Sequence, residues 1–305
     1  MNAKQSKPLK IALYVISVVT CAIILYPYIV MFFSSVKDMG EIYRIPGTLW
    51  PENWNLSNYI TVWQHIPLTY YFRNSAIVAF GATAVSITCA IPTGYALARM
   101  QFPGKKGFMQ FIIVTQMFAP VVLLVGIYRV MLTFALTNNL FGLILLVAAF
   151  NQAFSAWLLS GTFATISTEL EDAAKIDGCN RVQAVIRVII PLAAPGIATA
   201  VIHAFIGAWN EYTLTLVLIS DTYKKSLNVG IRAFFGYTNV EWWYVFACSL
   251  LTTLPILLRP GMKVAQMVFQ STDQPAERPY GHPELGSKYQ GQSGAVASRY
   301  SENRD

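Results

Sequence analysis

The sequence predicts an all-α integral membrane protein with six transmembrane helices, and three observations carry that prediction. Of the 305 residues, 55% are hydrophobic and 12% charged. That is about half the charged share of a soluble domain, which makes a bilayer the solvent for most of the chain. Long apolar segments recur between residues 11 and 258. The basic residues gather in flanks that six spans would bring to one side.

The first apolar segment, Ile11–Phe33, is too long for a signal-peptide core and lacks a small-residue cleavage site, so it reads as a span. The second, Ser75–Leu97, is dense in small residues: Gly81, Ala82, Ala84, Ala90, Gly94 and Ala96. Such residues let helices approach closely in lipid. These residues serve packing alone, or else Pro92 and Gly94 kink the span where a pathway needs room. The third, Phe108–Tyr128, contains Gln116, Pro120 and Gly126, and the fourth is Leu140–Phe163. The fifth is Ala194–Ile219. Each of these five is long enough for a hydrocarbon core of about 30 Å. The sixth, Trp242–Leu258, is short and contains Pro255.

Lys4, Lys7 and Lys10 precede the first span, and Arg99, Lys105 and Lys106 follow the second, with no acidic residue among either group. The positive-inside rule then puts both termini in the cytoplasm of a multi-pass inner-membrane protein. Residues 1–10 form the cytoplasmic N-terminus and residues 164–193 a cytoplasmic loop. The segments 34–74 and 221–241 face outward, and their tryptophans and tyrosines suit a membrane interface. Cys21, Cys89 and Cys248 fall in spans and Cys179 in the cytoplasmic loop, so no disulfide framework is expected. The net charge of +7 belongs to the basic flanks, without a stripe that would bind nucleic acid.

Catalytic chemistry is not legible. His65, His203 and His282 have no metal-ligand spacing, and no phosphate-binding glycine loop or nucleophile elbow occurs. Ionisable residues inside spans are expensive and mark functional sites. Here they are His203 and Glu211, which a continuous fifth helix would place on roughly one face. Glu211 lies in Trp209-Asn210-Glu211-Tyr212, a polar-aromatic cluster of the kind that lines a wet cavity or gate. Trp209, Asn210 and Glu211 are therefore candidate translocation-pathway residues, the alternative being that Glu211 is hydrated at the outer interface. The scarcity of buried charge argues against coupling to a proton or sodium gradient.

The segment from Glu169 to Pro195 is the most informative. Membrane connections need only a few residues, so a long, charged loop with helical patterning has a task. A short helix is predicted over Thr168–Ile176, with Thr168 as N-cap and Glu171 in capping-box position. Glu169, Glu171 and Asp172 in its first turn suit the helix dipole. Ala173 and Ala174 keep one side small, and Gly178 supplies a left-handed residue past the end. A second helical run, Arg181–Ile190, is predicted to stop at Pro191.

Asp172-Ala173-Ala174-Lys175-Ile176-Asp177-Gly178, followed at the family's spacing by Ile189-Ile190-Pro191, resembles the EAA loop of permease subunits of ATP-binding-cassette importers. Aspartate stands at 172 where the family has glutamate, with Glu171 beside it, and Ile190 stands where leucine precedes the proline. Tyr71-Phe72-Arg73-Asn74-Ser75, Gly94-Tyr95-Ala96-Leu97-Ala98-Arg99, Trp209–Tyr212 and Leu227-Asn228-Val229-Gly230 are similar to the carbohydrate-uptake group that contains the second permease of the maltose transporter. The resemblance covers about residues 11–258.

The resemblance implies a type I importer permease that imports a sugar and is not itself an enzyme. A second permease, two cytoplasmic ATPase subunits that bind ATP-Mg, and an extracytoplasmic solute-binding protein would complete it, with no cofactor of its own. Glu171, Asp172, Ala173, Ala174, Asp177, Gly178 and Pro191 would form the ATPase-coupling site, with either Glu171 or Asp172 making the contact. A polyol or glycerol-phosphate substrate is an alternative within this class. A secondary carrier is the rival outside it, and it predicts midplane carboxylates that this chain lacks. In residues 259–305, Arg259-Pro260-Gly261 ends the sixth span earlier than in the family. The polar composition beyond predicts disorder, as expected of a divergent or frame-shifted C-terminus, or else of a regulatory extension.

Overall fold

The computed structural model describes residues 7–236 and 240–257. Among them every named element is helical, and Phe235 and Val240 form one isolated antiparallel bridge. The expected tail, 259–305, and Leu258 lie outside the described residues.

Helix α1 (Lys7–Ser35) carries Pro27 internally, and the most apolar part of it is unburied within the chain. The segment that follows, expected to face outward, is ordered by polar contacts and holds α2 (Met39–Ile42) and α3 (Asn58–His65). The Asn58 amide donates to the carbonyls of Ser35 (3.0 Å) and Lys37 (3.1 Å), closing this segment over the end of α1.

Helix α4 (Leu68–Arg99) runs unbroken for 32 residues, so Pro92 does not interrupt it as its position allowed. Its small residues follow the composition in part, since Gly81 and Ala96 are half-buried and Ala84 is exposed. Ala79, Ala82, Ala90 and Gly94 are buried, most of them against α7 (Leu140–Ala164) or α11 (Ala194–Trp209). A Cβ at Gly94 would lie 2.9 Å from the Leu159 Cβ and 3.1 Å from the Ala156 carbonyl oxygen. Only glycine permits that approach of α4 to α7.

Two predicted spans are not single helices. The third divides into α5 (Lys105–Thr115) and α6 (Pro120–Thr133), bent by 101°. Pro120 has no N–H for a preceding turn and forces the residue before it out of the helical region. Ala119 accordingly sits at ψ 133°. The fifth breaks after Trp209 and resumes as α12 (Thr213–Leu218). The Glu211 carboxylate accepts from the Leu214 amide at 2.7 Å, so the side chain starts a new helix. His203 and Glu211 thus do not share one helical face.

The loop after α7 contains α8 (Glu169–Ile176), α9 (Arg181–Ala184), a π-turn (Val185–Ile189) and α10 (Ile190–Leu192), then bends 78° into α11. The second limb therefore passes through Pro191 instead of stopping there. In the widened turn the Ile190 amide donates to the Val185 carbonyl, which accommodates a proline that cannot donate to Arg187. A short α13 (Leu227–Gly230) follows α12, and α14 (Trp242–Leu257) ends the described chain. Among the described residues three helices are long and apolar enough to cross a membrane, or up to five if each bent pair is one span. The 16 described residues of α14 leave it below that length.

Candidate functional site

Helix α8 has two faces that differ in chemistry. Its outward face shows Leu170, Asp172, Ala173 and Ile176, and Ile176 is 87% exposed. Val182 and Ile186, from the next limb, are exposed as well. Its inward face holds Glu171 and Ala174, both buried. The alanine pair is therefore split: Ala173 is open to a partner, while Ala174 packs within the chain.

The helix ends as predicted. Gly178 has φ +85°, its amide donates to the Lys175 carbonyl (3.0 Å), and the Cys179 amide donates to that of Ala174 (2.9 Å). These two bonds close a Schellman cap, with Asp177 exposed at the C-cap. The N-terminus differs from expectation. Thr168 is helical and makes no side-chain cap; the Ser167 hydroxyl accepts from the Glu169 amide at 3.2 Å. The capping box of this loop lies instead at Asn180 and Gln183, which exchange bonds of 2.8 and 2.9 Å.

Glu171 leaves the expected box because α4 captures it. Its Oε1 lies 2.8 Å from Arg99 Nε, with both side chains 9% exposed. Neither atom makes an aligned hydrogen bond, so charge holds the pair. The Tyr95 hydroxyl donates to Oε2 at 3.0 Å. Arg99 also donates through its terminal nitrogen to the Ile166 carbonyl at 2.5 Å, at the start of the loop. Arg181 lies over the Tyr95 ring, its guanidinium carbon 5.8 Å from the centroid, and its Nε–H points to the hydroxyl at 3.5 Å. Tyr95 and Arg99, one turn apart on α4, thus hold both limbs of the loop. The Tyr95 bond holds the Arg181 guanidinium above its ordinary value.

Asp172 is the opposite case. Its side chain is 67% exposed and sits 2.8 Å from Lys175 Nζ. That hydrogen bond and the carboxylate charge hold the Lys175 ammonium above its usual pKa. Pro191, on α10, is exposed at the far end of the loop.

The second candidate group, Trp209, Asn210 and Glu211, is divided among different surroundings. Trp209 is buried, its indole N–H donating to the Thr252 carbonyl at 3.1 Å and its ring stacked on Phe205. Its own carbonyl accepts from the Asn228 amide at 2.9 Å. Asn210 is exposed and Glu211 half-buried on the α12 amide. His203 stacks on Phe154 with centroids 4.1 Å apart. Among the described residues no group of His, Cys, Asp and Glu could hold a metal ion.

Sequence reasoning missed Tyr95, Arg99 and Arg181 as parts of the loop site. Arg99 was legible as an interfacial cation but not as the partner of a distant acid, which only the fold brings to it.

The chain is 30% identical over 238 residues to the inner membrane ABC transporter permease protein YcjP of Escherichia coli, covering 77% of this chain and 85% of that one. It is 33% identical over 234 residues to the sulfoquinovosyl glycerol transport system permease protein SmoH of Agrobacterium fabrum, covering 77% and 82%. The trehalose/maltose transport system permease protein MalG of Thermococcus litoralis is 28% identical over 258 residues, covering 83% and 92%. In fold, the chain is similar to a chain in the crystal structure of a bacterial ABC transporter involved in alginate import. There the TM-score is 0.73, with 23% identity and coverage of 88% of this chain and 99% of that one. Residues 90–264 match the binding-protein-dependent transport system inner membrane components, and the chain belongs to that family.

Proposed function

We propose that the chain is one permease subunit of an ATP-driven importer for a mono- or oligosaccharide, with α8 as the helix that couples it to a partner ATPase. The observation that carries this reading is the division of α8. A small-residue, partly apolar face with Asp172 is presented outward, while Glu171 and Ala174 fix the opposite face to the chain. A helix so fixed and so exposed can be pushed by a partner without being displaced from its own subunit. Membership in the family and the sugar-transport relatives support the substrate class.

The complete importer then has a second permease, two cytoplasmic ATPase subunits that bind ATP-Mg, and a solute-binding protein on the outer side. The six predicted spans place α8 and both termini in the cytoplasm and the segments 34–74 and 221–241 outside. Closure of the ATPase cleft moves α8, and rigid-body rearrangement of the spans opens the pathway alternately to each side. Asp172, outward and accessible, is the acid that meets the ATPase, and Glu171 holds the helix in place.

The test is co-expression with the neighbouring importer genes and uptake of a panel of radiolabelled sugars into proteoliposomes loaded with ATP. Uptake that needs ATP and survives collapse of ion gradients is expected. Uptake that follows an ion gradient without ATP would overturn the reading in favour of a secondary carrier.

A further inference from the structure

We propose that α4 is a transmission rod that joins the coupling helix on the cytoplasmic side to the outer segment 221–230. The proposal rests on the reading above that α8 is the coupling helix, and it adds a route for the motion that the chain's covalent path does not supply.

Both ends of α4 are fastened to loops that are remote in sequence. At the cytoplasmic end, Arg99 pairs with Glu171 and binds the Ile166 carbonyl, and Tyr95 binds Glu171 and Arg181. At the outer end, the Asn74 amide donates to the carbonyls of Tyr223 (2.7 Å) and Lys225 (3.1 Å). The Ser75 hydroxyl accepts from the Leu227 amide at 2.8 Å. Tyr71 packs so closely under Gly230 that a Cβ there would collide with its ring. Tyr71, Asn74 and Ser75 are all buried, so these bonds are shielded from competing water.

Between the two ends the helix is stiff. It is continuous over 32 residues, about 48 Å at 1.5 Å per residue. It is braced along α7 by the close contact at Gly94. The covalent route from α8 is looser. It runs through a left-handed glycine, a π-turn and a 78° bend before reaching α11. Displacement of α8 therefore passes more directly through the buried Arg99–Glu171 pair into α4 than along the backbone into α11. Arg99, Glu171 and Asn74 are positioning residues in this scheme; none needs to touch solute or nucleotide.

The experiment uses the assembled importer with the four native cysteines replaced and a spin label on Thr222→Cys, an exposed site in the outer segment. ATP with orthovanadate is the probe. In the parent complex the label's spectrum is expected to shift on nucleotide trapping. Arg99→Gln with Glu171→Gln leaves no buried charge unpaired, so that protein folds, and the shift should be lost while the ATPase still co-purifies. Asn74→Ala, remote from the ATPase, is a second arm in which the same loss is expected. A shift retained in either variant overturns the rod, as does a parent complex that binds the ATPase yet gives no shift. A parent that fails to bind any ATPase subunit overturns the coupling reading itself.

Discussion

Arg99 Nε and Glu171 Oε1 stand 2.8 Å apart in a buried setting, one at the end of a long span and the other on the loop helix four helices later. Burial makes the pair asymmetric in its consequences. Together the charges roughly offset their desolvation, but either one alone is stranded. Arg99→Gln or Glu171→Gln should each destabilise the protein by about 3–5 kcal/mol, and the double variant by much less than the sum. Thermal unfolding of the detergent-solubilised subunit checks this. Additive losses would mean that the two groups do not depend on each other.

Asp172 is expected to behave in the opposite way. Its carboxylate is two-thirds exposed and, among the described residues, pairs with Lys175, a surface pair worth at most about 1 kcal/mol. Asp172→Arg should leave the unfolding temperature unchanged and lower the yield of co-purified ATPase. Glu171→Gln should lower the unfolding temperature first. Pull-down and unfolding on the same preparations separate the two acids.

The sequence made some of this site legible and hid the rest for physical reasons. The cap at Gly178 was readable because a left-handed residue has a local chemical requirement, and φ +85° meets it. The burial of Ala82 and Ala90 followed from composition in the same local way. The N-terminal cap was not readable, because Thr168 and Glu171 fit a capping box until tertiary structure offers Glu171 a guanidinium. A kink at Pro120 was legible as an alternative to packing, as at Pro92, but the apolar continuity of both spans gave no sign of which proline bends its helix. Hydrophobicity reports what a segment dissolves in and says little about whether its helix is continuous. At Trp209–Tyr212, where the polar cluster suggested a pathway, Glu211 also starts a helix, a local bond that hydrophobicity does not announce.

At Gly178 conformation alone decides the outcome, since a Cβ there would meet no atom within 4 Å. Gly178→Ala should cost about 1–2 kcal/mol of local stability from the left-handed backbone, and Gly178→Asn less, because asparagine tolerates that region. Gly178→Asp should assemble with the ATPase but hydrolyse ATP without proportionate sugar uptake, because the end of α8 is re-aimed. The ratio of ATP hydrolysed to sugar imported is the measurement, and an unchanged ratio would remove Gly178 from the coupling site.

Gly94 supplies the last prediction, and there space decides instead. A Cβ at this position would lie 2.9 Å from the Leu159 Cβ and 3.1 Å from both the Ala156 carbonyl oxygen and the Ser160 nitrogen. Two of these three atoms are backbone, so a side chain cannot be accommodated by a rotamer change and α4 must move away from α7. Gly94→Ala should cost about 1–3 kcal/mol as overpacking, and Gly94→Val more. The damage should spread toward the loop, because Tyr95 is the next residue and reaches Glu171 from this turn. Limited proteolysis after Arg181 or Arg187 should therefore speed up in Gly94→Val but not in Gly126→Ala, where a Cβ would meet open space. Equal cleavage rates in the two variants would show that the α4–α7 contact does not hold the loop.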